Sequence, residues 1–328
     1  MTIPAGALRF NSDSGKLEYY NGEVWWQIDN FSADNATGGA RGVFGGGHNA
    51  SGPDNVIQYI TISTTGNAID FGDLSSNRQL LGACSSYTRG IFGGGGNSPV
   101  NENVIEYITI SSTGDVLNFS DLSVGKQALG ACSSSTRGIF GGGYTPTFTN
   151  TIEYITIQST GDAQDFGDLT VSRVYLSACS SSTRGIFGGG NTPTYTNIID
   201  YITIASTGDA QDFGDLSSTR INTSSCSNSI RGVFGGGAPT TNVIEFITIS
   251  TTGNAVDFGD LTVARVGPAA CSSSTRGVFS GGTVPSPLAR LNTIEYITIM
   301  TIGNAVDFGD LTIVRGSGAG LSNGHGGL

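Results

Sequence analysis

The sequence predicts an all-β protein, a six-bladed β-propeller of four-stranded antiparallel blades preceded by a small three-stranded meander. Three observations predict this fold. The string Arg-Gly-(Ile/Val)-Phe-(Gly/Ser)-Gly-Gly occurs six times in 328 residues, at intervals of 45 to 48. Glycine is abundant, with 51 residues, whereas only 12% of the residues are charged. No long stretch has the apolar spacing of a helix, so short strands between Gly-rich turns account for the pattern.

Residues 1–30 lie outside the repeat and contain three short segments rich in aromatic and β-branched residues. Asp13-Ser14-Gly15 and Asn21-Gly22 separate these segments, and Asn-Gly is a strong hairpin signal. A sheet of three short strands is marginal alone. We therefore expect it to attach or oligomerise the protein through four aromatic residues, Tyr19, Tyr20, Trp25 and Trp26. Residues 31–40 are predicted to be a linker.

Residues 41–328 hold the six repeat units. Each unit continues from its Arg-Gly strand through a variable loop to an Ile-Glu-Tyr-Ile-Thr-Ile-like strand, then to Asp-Phe-Gly-Asp-Leu and a Ser-rich strand that usually contains Cys. Four short strands in about 47 residues are typical of one propeller blade, which buries its faces only against neighbouring blades. The units begin at Arg41, Arg89, Arg137, Arg184, Arg231 and Arg276.

The two ends of the repeat region predict how the ring closes. Residues 315–328 align with the stretch that precedes the Phe of the last unit, so they supply a seventh copy of the Ser-rich strand. Residues 33–40 are a poor version of that strand. We therefore expect the C-terminal segment to complete the blade that begins at Arg41.

Most charged residues occupy equivalent positions in the units, which indicates a structural use. Twelve of the 15 Lys and Arg fall at two repeat positions, and five units carry an acid in the Glu-Tyr strand. These groups are expected to form ion pairs within or between blades. The repeated Asp residues, such as Asp162, Asp165 and Asp168, leave calcium binding open as an alternative to local hydrogen bonding. Equivalent cysteines, one per unit in five units, are expected to be buried packing residues.

Composition argues against several function classes. A net charge of −11 disfavours nucleic acid as a partner. No apolar run is long enough for a membrane span, and the first residues do not form a secretory signal. Only two histidines are present, and the arginines belong to the repeat, so we expect no catalytic residues, no metal and no cofactor.

The variable segment between the Gly-Gly-Gly and Glu-Tyr strands is where a single binding site is expected. All six such loops should project from one face of the ring. Phe148 and Tyr195 occupy matching places in neighbouring loops, with Tyr144 nearby and Thr on either side. Aromatic rings bordered by hydroxyls suit sugar stacking, although the same rings could merely hold the loops in place. His48 and Arg290 are further candidates in other loops.

The repeat unit resembles the kelch or galactose-oxidase type of propeller repeat. The resemblance rests on Arg173, on the strand Ile186-Phe187-Gly188-Gly189 and on Glu153-Tyr154, in the order that such repeats have. Phe166 stands where those repeats have Trp. The resemblance covers residues 41–328 and implies the propeller fold.

The N-terminal segment resembles a short element of tailed-phage virion proteins, cyanophages among them. The matching residues are Gly6, Leu8-Arg9-Phe10-Asn11, Lys16-Leu17-Glu18, Tyr20-Asn21-Gly22 and Trp25. In that family the element belongs to fibre, appendage or decoration subunits, often trimeric.

The resemblance implies a non-enzymatic virion protein that is made in the host cytoplasm and is not secreted. Its meander would bind other virion proteins, and its loops would bind a host-surface glycan or receptor, as in a tail fibre. The alternatives are a capsid or tail decoration protein and a cellular kelch-type protein-interaction module.

Overall fold

The computed structural model of the protein describes residues 4, 6–11, 16–28 and 40–328. This part of the chain is all β and contains no helix; accordingly, none of its segments is a helix that could cross a membrane. The N-terminal segment forms an antiparallel sheet in the order β1-β2-β3, with strands Leu8–Asn11, Lys16–Tyr20 and Trp25–Ile28. The predicted turn at 13–15 and the predicted linker, except for Ala40, lie outside the described residues.

Six four-stranded antiparallel sheets confirm the predicted propeller. The innermost strands are β7 (Gly82–Ser85), β13 (Gly130–Ser133), β17 (Ser177–Ser180), β21 (Ser224–Ser227), β25 (Ala269–Ser272) and β31 (Ala319–Ser322). The second strands are β4 (Arg41–Asn49), β8 (Arg89–Gly93), β14 (Arg137–Gly141), β18 (Arg184–Gly188), β22 (Arg231–Gly235) and β26 (Arg276–Ser280).

The third strands are β5 (Gly52–Thr61), β11 (Val104–Thr109), β15 (Thr151–Thr156), β19 (Ile198–Thr203), β23 (Thr241–Thr248) and β29 (Thr293–Thr298). The outermost are β6 (Ile69–Asp73), β12 (Leu117–Asp121), β16 (Gln164–Asp168), β20 (Gln211–Asp215), β24 (Val256–Arg265) and β30 (Val306–Asp310). Two loops add small hairpins, β9 (Gly96–Asn97) with β10 (Val100–Asn101) and β27 (Thr283–Pro285) with β28 (Leu288–Arg290).

The ring closes as the sequence predicts. Strand β31 pairs antiparallel with β4, placing Leu321 opposite Val43, and so becomes the innermost strand of blade 1. Blade 1 therefore consists of β31, β4, β5 and β6, and blades 2 to 6 follow in chain order. Neighbouring blades in this ring, including blades 6 and 1, bury their apolar faces against each other.

The core lies between blades rather than within them. One cluster joins Phe166 of blade 3 to Phe187 of blade 4, and both side chains are buried. The Arg-Gly glycines make room for the neighbouring blade, since a Cβ on Gly138 would lie 2.8 Å from the Sγ atom of Cys84. Burial raises the pKa of the Cys84 thiol to about 12, so this cysteine is a neutral packing residue as predicted.

A closed ring of serine hydroxyls joins the six innermost strands. In each blade, the last residue of the strand donates its hydroxyl hydrogen to the carbonyl of its counterpart in the preceding blade, as Ser133 does to Ser85 at 2.8 Å. The link between Ser85 and Ser322 (2.7 Å) connects the C-terminal strand to the same ring. The six serines are Ser85, Ser133, Ser180, Ser227, Ser272 and Ser322.

Candidate functional site

The propeller has two faces of different character. Strands β4, β8 and their equivalents run from short Ser-Thr turns on one face, the turn face, to the variable loops on the other, the loop face. The described ring begins at Ala40 on the turn face, where Arg41 donates its backbone N–H to the side chain of Asn323 at 2.8 Å. The N-terminal segment therefore joins the ring on the face opposite the variable loops.

The structure brings two of the three predicted loop aromatics into contact. Tyr144 and Phe148 of blade 3 meet edge to face, with ring centroids 6.2 Å apart. Tyr195 occupies the place of Phe148 in the blade 4 loop, where its partner across the loop is Asn191. Tyr144 and Tyr195 are 37% and 42% exposed, so both present ring surface to solvent.

Backbone and hydroxyl hydrogen bonds fix the conformation of these loops. In blade 3 the Thr145 N–H donates to the Thr147 carbonyl at 2.9 Å, and Thr192 and Thr194 repeat this contact in blade 4. The loop aromatics are therefore held on a preformed support, which lowers the entropy that binding would cost.

His48 and Arg290 lie in the loops of blades 1 and 6, separate from the aromatic pair in blade 3. The His48 N–H donates to the Gly316 carbonyl at 2.8 Å. Arg290 ends β28 and lies opposite Thr283 in a hairpin whose tip exposes Leu288. The five predicted residues therefore share the loop face without forming one cluster.

Each loop is joined to the axis through a short antiparallel bridge. Tyr144 exchanges two backbone hydrogen bonds with Gln127, and Asn191 does so with Val174. The residue that follows each bridging partner lies at the mouth of the central channel. This position is Leu80, Ala128, Tyr175, Asn222, Gly267 or Ser317 in successive blades.

These six axial residues form a second closed ring, made of backbone hydrogen bonds of 2.7 to 3.0 Å. In each, the N–H donates to the carbonyl of the counterpart in the preceding blade, and Leu80 donates to Ser317. All six adopt positive φ angles between 50° and 59°. Leucine, alanine and tyrosine rarely adopt this left-handed conformation, which costs an L-residue about 1 kcal/mol or more.

The axial ring borders a cavity of about 110 Å³ on the loop face. Its floor is formed by the innermost strands and the residues just before them, most of them Gly, Ala, Ser or Leu, and its rim by the six axial residues. Among residues 40–328, no charged side chain lines it. The volume holds several water molecules, so a small neutral group would fit there.

The sequence analysis did not predict this axial site, because it assigned a purely structural role to the Ser-rich strand and to the residues just before it. A signal was present in the sequence. The second residue after each repeated basic residue changes type in every unit, although its surroundings are similar.

The opposite end of the channel is closed by the last residues of the chain. His325 donates from Nε2 to the Ser85 carbonyl (3.1 Å), and its Nδ1 accepts the N–H of Gly327 (3.0 Å). The Gly326 N–H donates to the carbonyl of Ser227 across the channel. Burial lowers the pKa of His325 to about 4, and the bond to Ser85 opposes this shift.

Buried ion pairs fix the segment that leads into each innermost strand, as the sequence predicts. Arg173 donates to Asp200 at 2.8 Å, and both side chains are fully buried. Equivalent pairs are Arg78–Glu106, Lys126–Glu153, Arg220–Glu245 and Arg265–Glu295.

Blade 1 departs from this pattern because Gln58 replaces the acid. Arg315 lies instead 3.6 Å from Asp54, an acid of the blade 1 loop. Burial lowers the pKa of Arg315 to about 10, and the charge of Asp54 opposes that shift.

Within the described residues the other basic set forms no ion pairs, so the expectation of ion pairing is wrong for it. Arg137 donates to the Ile204 carbonyl of the next blade at 2.9 Å and stacks 4.7 Å above the ring of Tyr154. Its five equivalents make the same two contacts, and Arg276 closes the circle by donating to Ile62. These arginines therefore join blades through cation–π and carbonyl contacts.

The repeated Asp and Asn residues of the outer turns act as hydrogen-bond acceptors between blades. Asp209 accepts the backbone N–H of Asp168 at 3.0 Å, and Asn67 accepts that of Asp310 at the ring closure. Within residues 40–328 and the described parts of the meander, no three His, Cys, Asp or Glu side chains group to hold a metal ion.

The meander carries a compact polar and aromatic cluster. Arg9 donates to Glu18 at 2.7 Å and lies 4.2 Å above the ring of Trp25, which also contacts Tyr20. Tyr19 is 40% exposed. The side chain of Trp26, the fourth predicted attachment residue, lies outside the described part.

Fold and site together define a closed six-bladed β-propeller with an uncharged axial cavity and projecting loops on one face. The chain matches no protein-family model and no curated protein.

Proposed function

We propose that the protein is a non-enzymatic binding protein of a tailed-phage virion, a tail fibre or appendage subunit whose loop face recognises a host-surface glycan. The observation that carries the proposal is the difference between the two faces of the ring. The N-terminal segment joins the ring on the turn face, whereas the variable loops stand on the opposite face. A subunit anchored through its meander would therefore present its loops outward.

The chemistry of the loop face supports a glycan as ligand. Exposed rings of Tyr144 and Tyr195 beside threonine hydroxyls provide apolar stacking surface next to hydrogen-bonding groups. Sugars bind to such surfaces because their ring faces are apolar and their edges carry hydroxyls. Rigid loops add affinity, since little ordering is needed on binding.

One resemblance supports the virion assignment, that of residues 6–25 to the meander of phage fibre and decoration subunits. The kelch-type order of motifs in residues 41–328 implies only the propeller fold. Such a protein would be made in the host cytoplasm. The meander would bind other virion proteins and join three copies of the chain.

A binding screen against glycans and host-surface preparations tests this function. The purified protein is compared with the Phe148→Ala/Tyr195→Ala double variant. Binding that the variant loses supports glycan recognition by these loops, and retained binding removes them from the site. A folded protein that binds no glycan would contradict host recognition and favour the decoration role or a protein-interaction module.

A further inference from the structure

We propose that the loop-face mouth of the central channel, with Tyr175, Asn222 and Ser317 on its rim, binds a single neutral sugar residue of a glycan. This inference rests on the proposed glycan function and names the site within the loop face where recognition is centred. It adds residues that lie at the axis, apart from Phe148 and Tyr195.

The first argument is that the rim breaks the symmetry of the ring. Six equivalent positions share one backbone conformation and one hydrogen-bond pattern, yet six different residue types occupy them. Leu80 and Ala128 make one side of the rim apolar. Tyr175, Asn222 and Ser317 place a phenol, an amide and a hydroxyl around the other side. A symmetric scaffold needs no such difference, whereas a ligand with one apolar and one polar side does.

The second argument is the backbone cost at these positions. Tyr175 has a φ of 57°, where glycine would be tolerated better, and Gly267 occupies the equivalent place in blade 6. A non-glycine residue keeps such a conformation only where the surrounding structure enforces it. Residues of this kind are concentrated at ligand sites. Glycine at position 175 would form the same backbone hydrogen bonds in the axial ring. The tyrosine side chain is therefore not needed for that ring, and a binding function would account for it.

The third argument concerns unused hydrogen-bonding capacity. Within residues 40–328, the Tyr175 hydroxyl, the Asn222 amide and the Ser317 hydroxyl make no hydrogen bond to another protein group. Each is partly exposed at the rim. Three free donors and acceptors around an uncharged cavity match the hydroxyls of a neutral sugar. They offer no ion pair to a phosphate, sulfate or carboxylate group.

The axial mouth is also continuous with a predicted loop. Val174 exchanges two backbone hydrogen bonds with Asn191, whose bridge partner across the loop is Tyr195. A glycan with one residue in the cavity could therefore extend over the blade 4 loop. The His325 tail closes the far end of the channel, so access is from the loop face.

The test uses the full-length protein and its Tyr175→Gly variant. This change removes the phenol at a position where glycine is conformationally preferred, so folding should be preserved, and thermal melting verifies this. The matched control is Tyr87→Gly, which removes an exposed tyrosine ring (47% exposed) from a turn on the opposite face, away from the cavity. The probes are immobilised glycans and, in solution, methyl glycosides of glucose, galactose and N-acetylglucosamine observed by saturation-transfer NMR.

We expect Tyr175→Gly to weaken glycan affinity by about tenfold or more, a difference of about 1.4 kcal/mol. Tyr87→Gly should leave affinity within about twofold of the wild type. Glycan binding that survives Tyr175→Gly unchanged would overturn the axial site and leave the proposed function standing. Absence of any glycan binding by the folded wild type would overturn both.

Discussion

At the residue scale, the buried ion pairs show how far this fold depends on charge compensation. Arg173 donates to Asp200 and also to the carbonyls of Gly189 and Ile198. Its guanidinium therefore joins the segment before β17 to the loop-face ends of β18 and β19. Burial lowers the pKa of Arg173, while the charge of Asp200 opposes the shift. An isolated charge at this depth would be costly, and the pair removes most of that cost.

Arg173→Met should destabilise the protein by about 3–5 kcal/mol, because Asp200 then stays buried without its counter-charge. Chemical denaturation measures the change. Arg290→Met serves as the control, since Arg290 lies in a surface loop, and we expect less than about 0.5 kcal/mol there. If Arg173→Met lowers the free energy of unfolding by no more than the control does, the ion pair contributes little to stability.

His325 should make the docking of the C-terminal tail sensitive to pH. Its neutral form is required in the folded state, because Nδ1 accepts the Gly327 N–H. Since the folded pKa is lowered from 6.5 to about 4, the stabilisation is complete above pH 6.5 and is lost as the pH falls toward 4. The full difference is about 3 kcal/mol. The surrounding thiols, including Cys132, stay neutral in this range because burial raises their pKa values.

The pH effect can be measured as the difference between wild type and His325→Gln. Carboxylates titrate over the same range in both proteins, so subtracting the two unfolding curves isolates the histidine. The wild type should be more stable than His325→Gln at pH 7.5, and this difference in the free energy of unfolding should be smaller at pH 4. A His325 imidazole that titrates near 6.5 by NMR, assigned by the loss of its signal in His325→Gln, would show that the tail is not docked.

At the element scale, the four strands of each blade follow from the sequence because every unit repeats the same alternation of apolar and small residues. The closure by β31 was predictable for the same reason. The axial ring was not. Leu80, Tyr175 and Asn222 have no residue type in common that favours a left-handed backbone, so their conformation comes from hydrogen bonds between blades. The backbone conformation of this ring was therefore not predictable from local sequence patterns, and only the variation between units marked the position.

Deletion of residues 317–328 should abolish cooperative folding. It removes β31, so β4 loses its inner partner and presents an unpaired edge, and it breaks the serine ring at Ser322. Deletion of only residues 324–328 keeps β31 and the ring, and it should leave a cooperative melting transition. Differential scanning calorimetry distinguishes the two. An unchanged melting curve for the longer deletion would contradict closure by this strand.

At the scale of the whole molecule, the meander is the part most in need of a partner. Its three strands contain 4, 5 and 4 residues, and sheets this small are marginal in isolation. Leu8 and Tyr19 lie opposite each other across the first strand pair and are both exposed, at 61% and 40%. This surface is suited to contact between copies of the chain.

We propose that the protein is a trimer in solution, as the resemblance of its meander to that of phage fibre subunits implies. Light scattering should give three times the chain mass of 33.7 kDa. A variant that lacks residues 1–39 should be monomeric, because it keeps the closed propeller and loses the meander. A monomeric full-length protein at micromolar concentration would count against assembly through this segment.

The closed rings have a further consequence for how the chain can be cut and rejoined. Gly324 lies against Ala40, since a Cβ on Gly324 would lie 2.7 Å from that of Ala40. The serine ring and the axial backbone ring both close around the circle. The order of the blades in the gene is therefore arbitrary with respect to the fold. A circular permutant that links 324 to 40 and opens at the exposed tip between Pro285 and Leu288 should build the same ring from a chain that starts in a different blade.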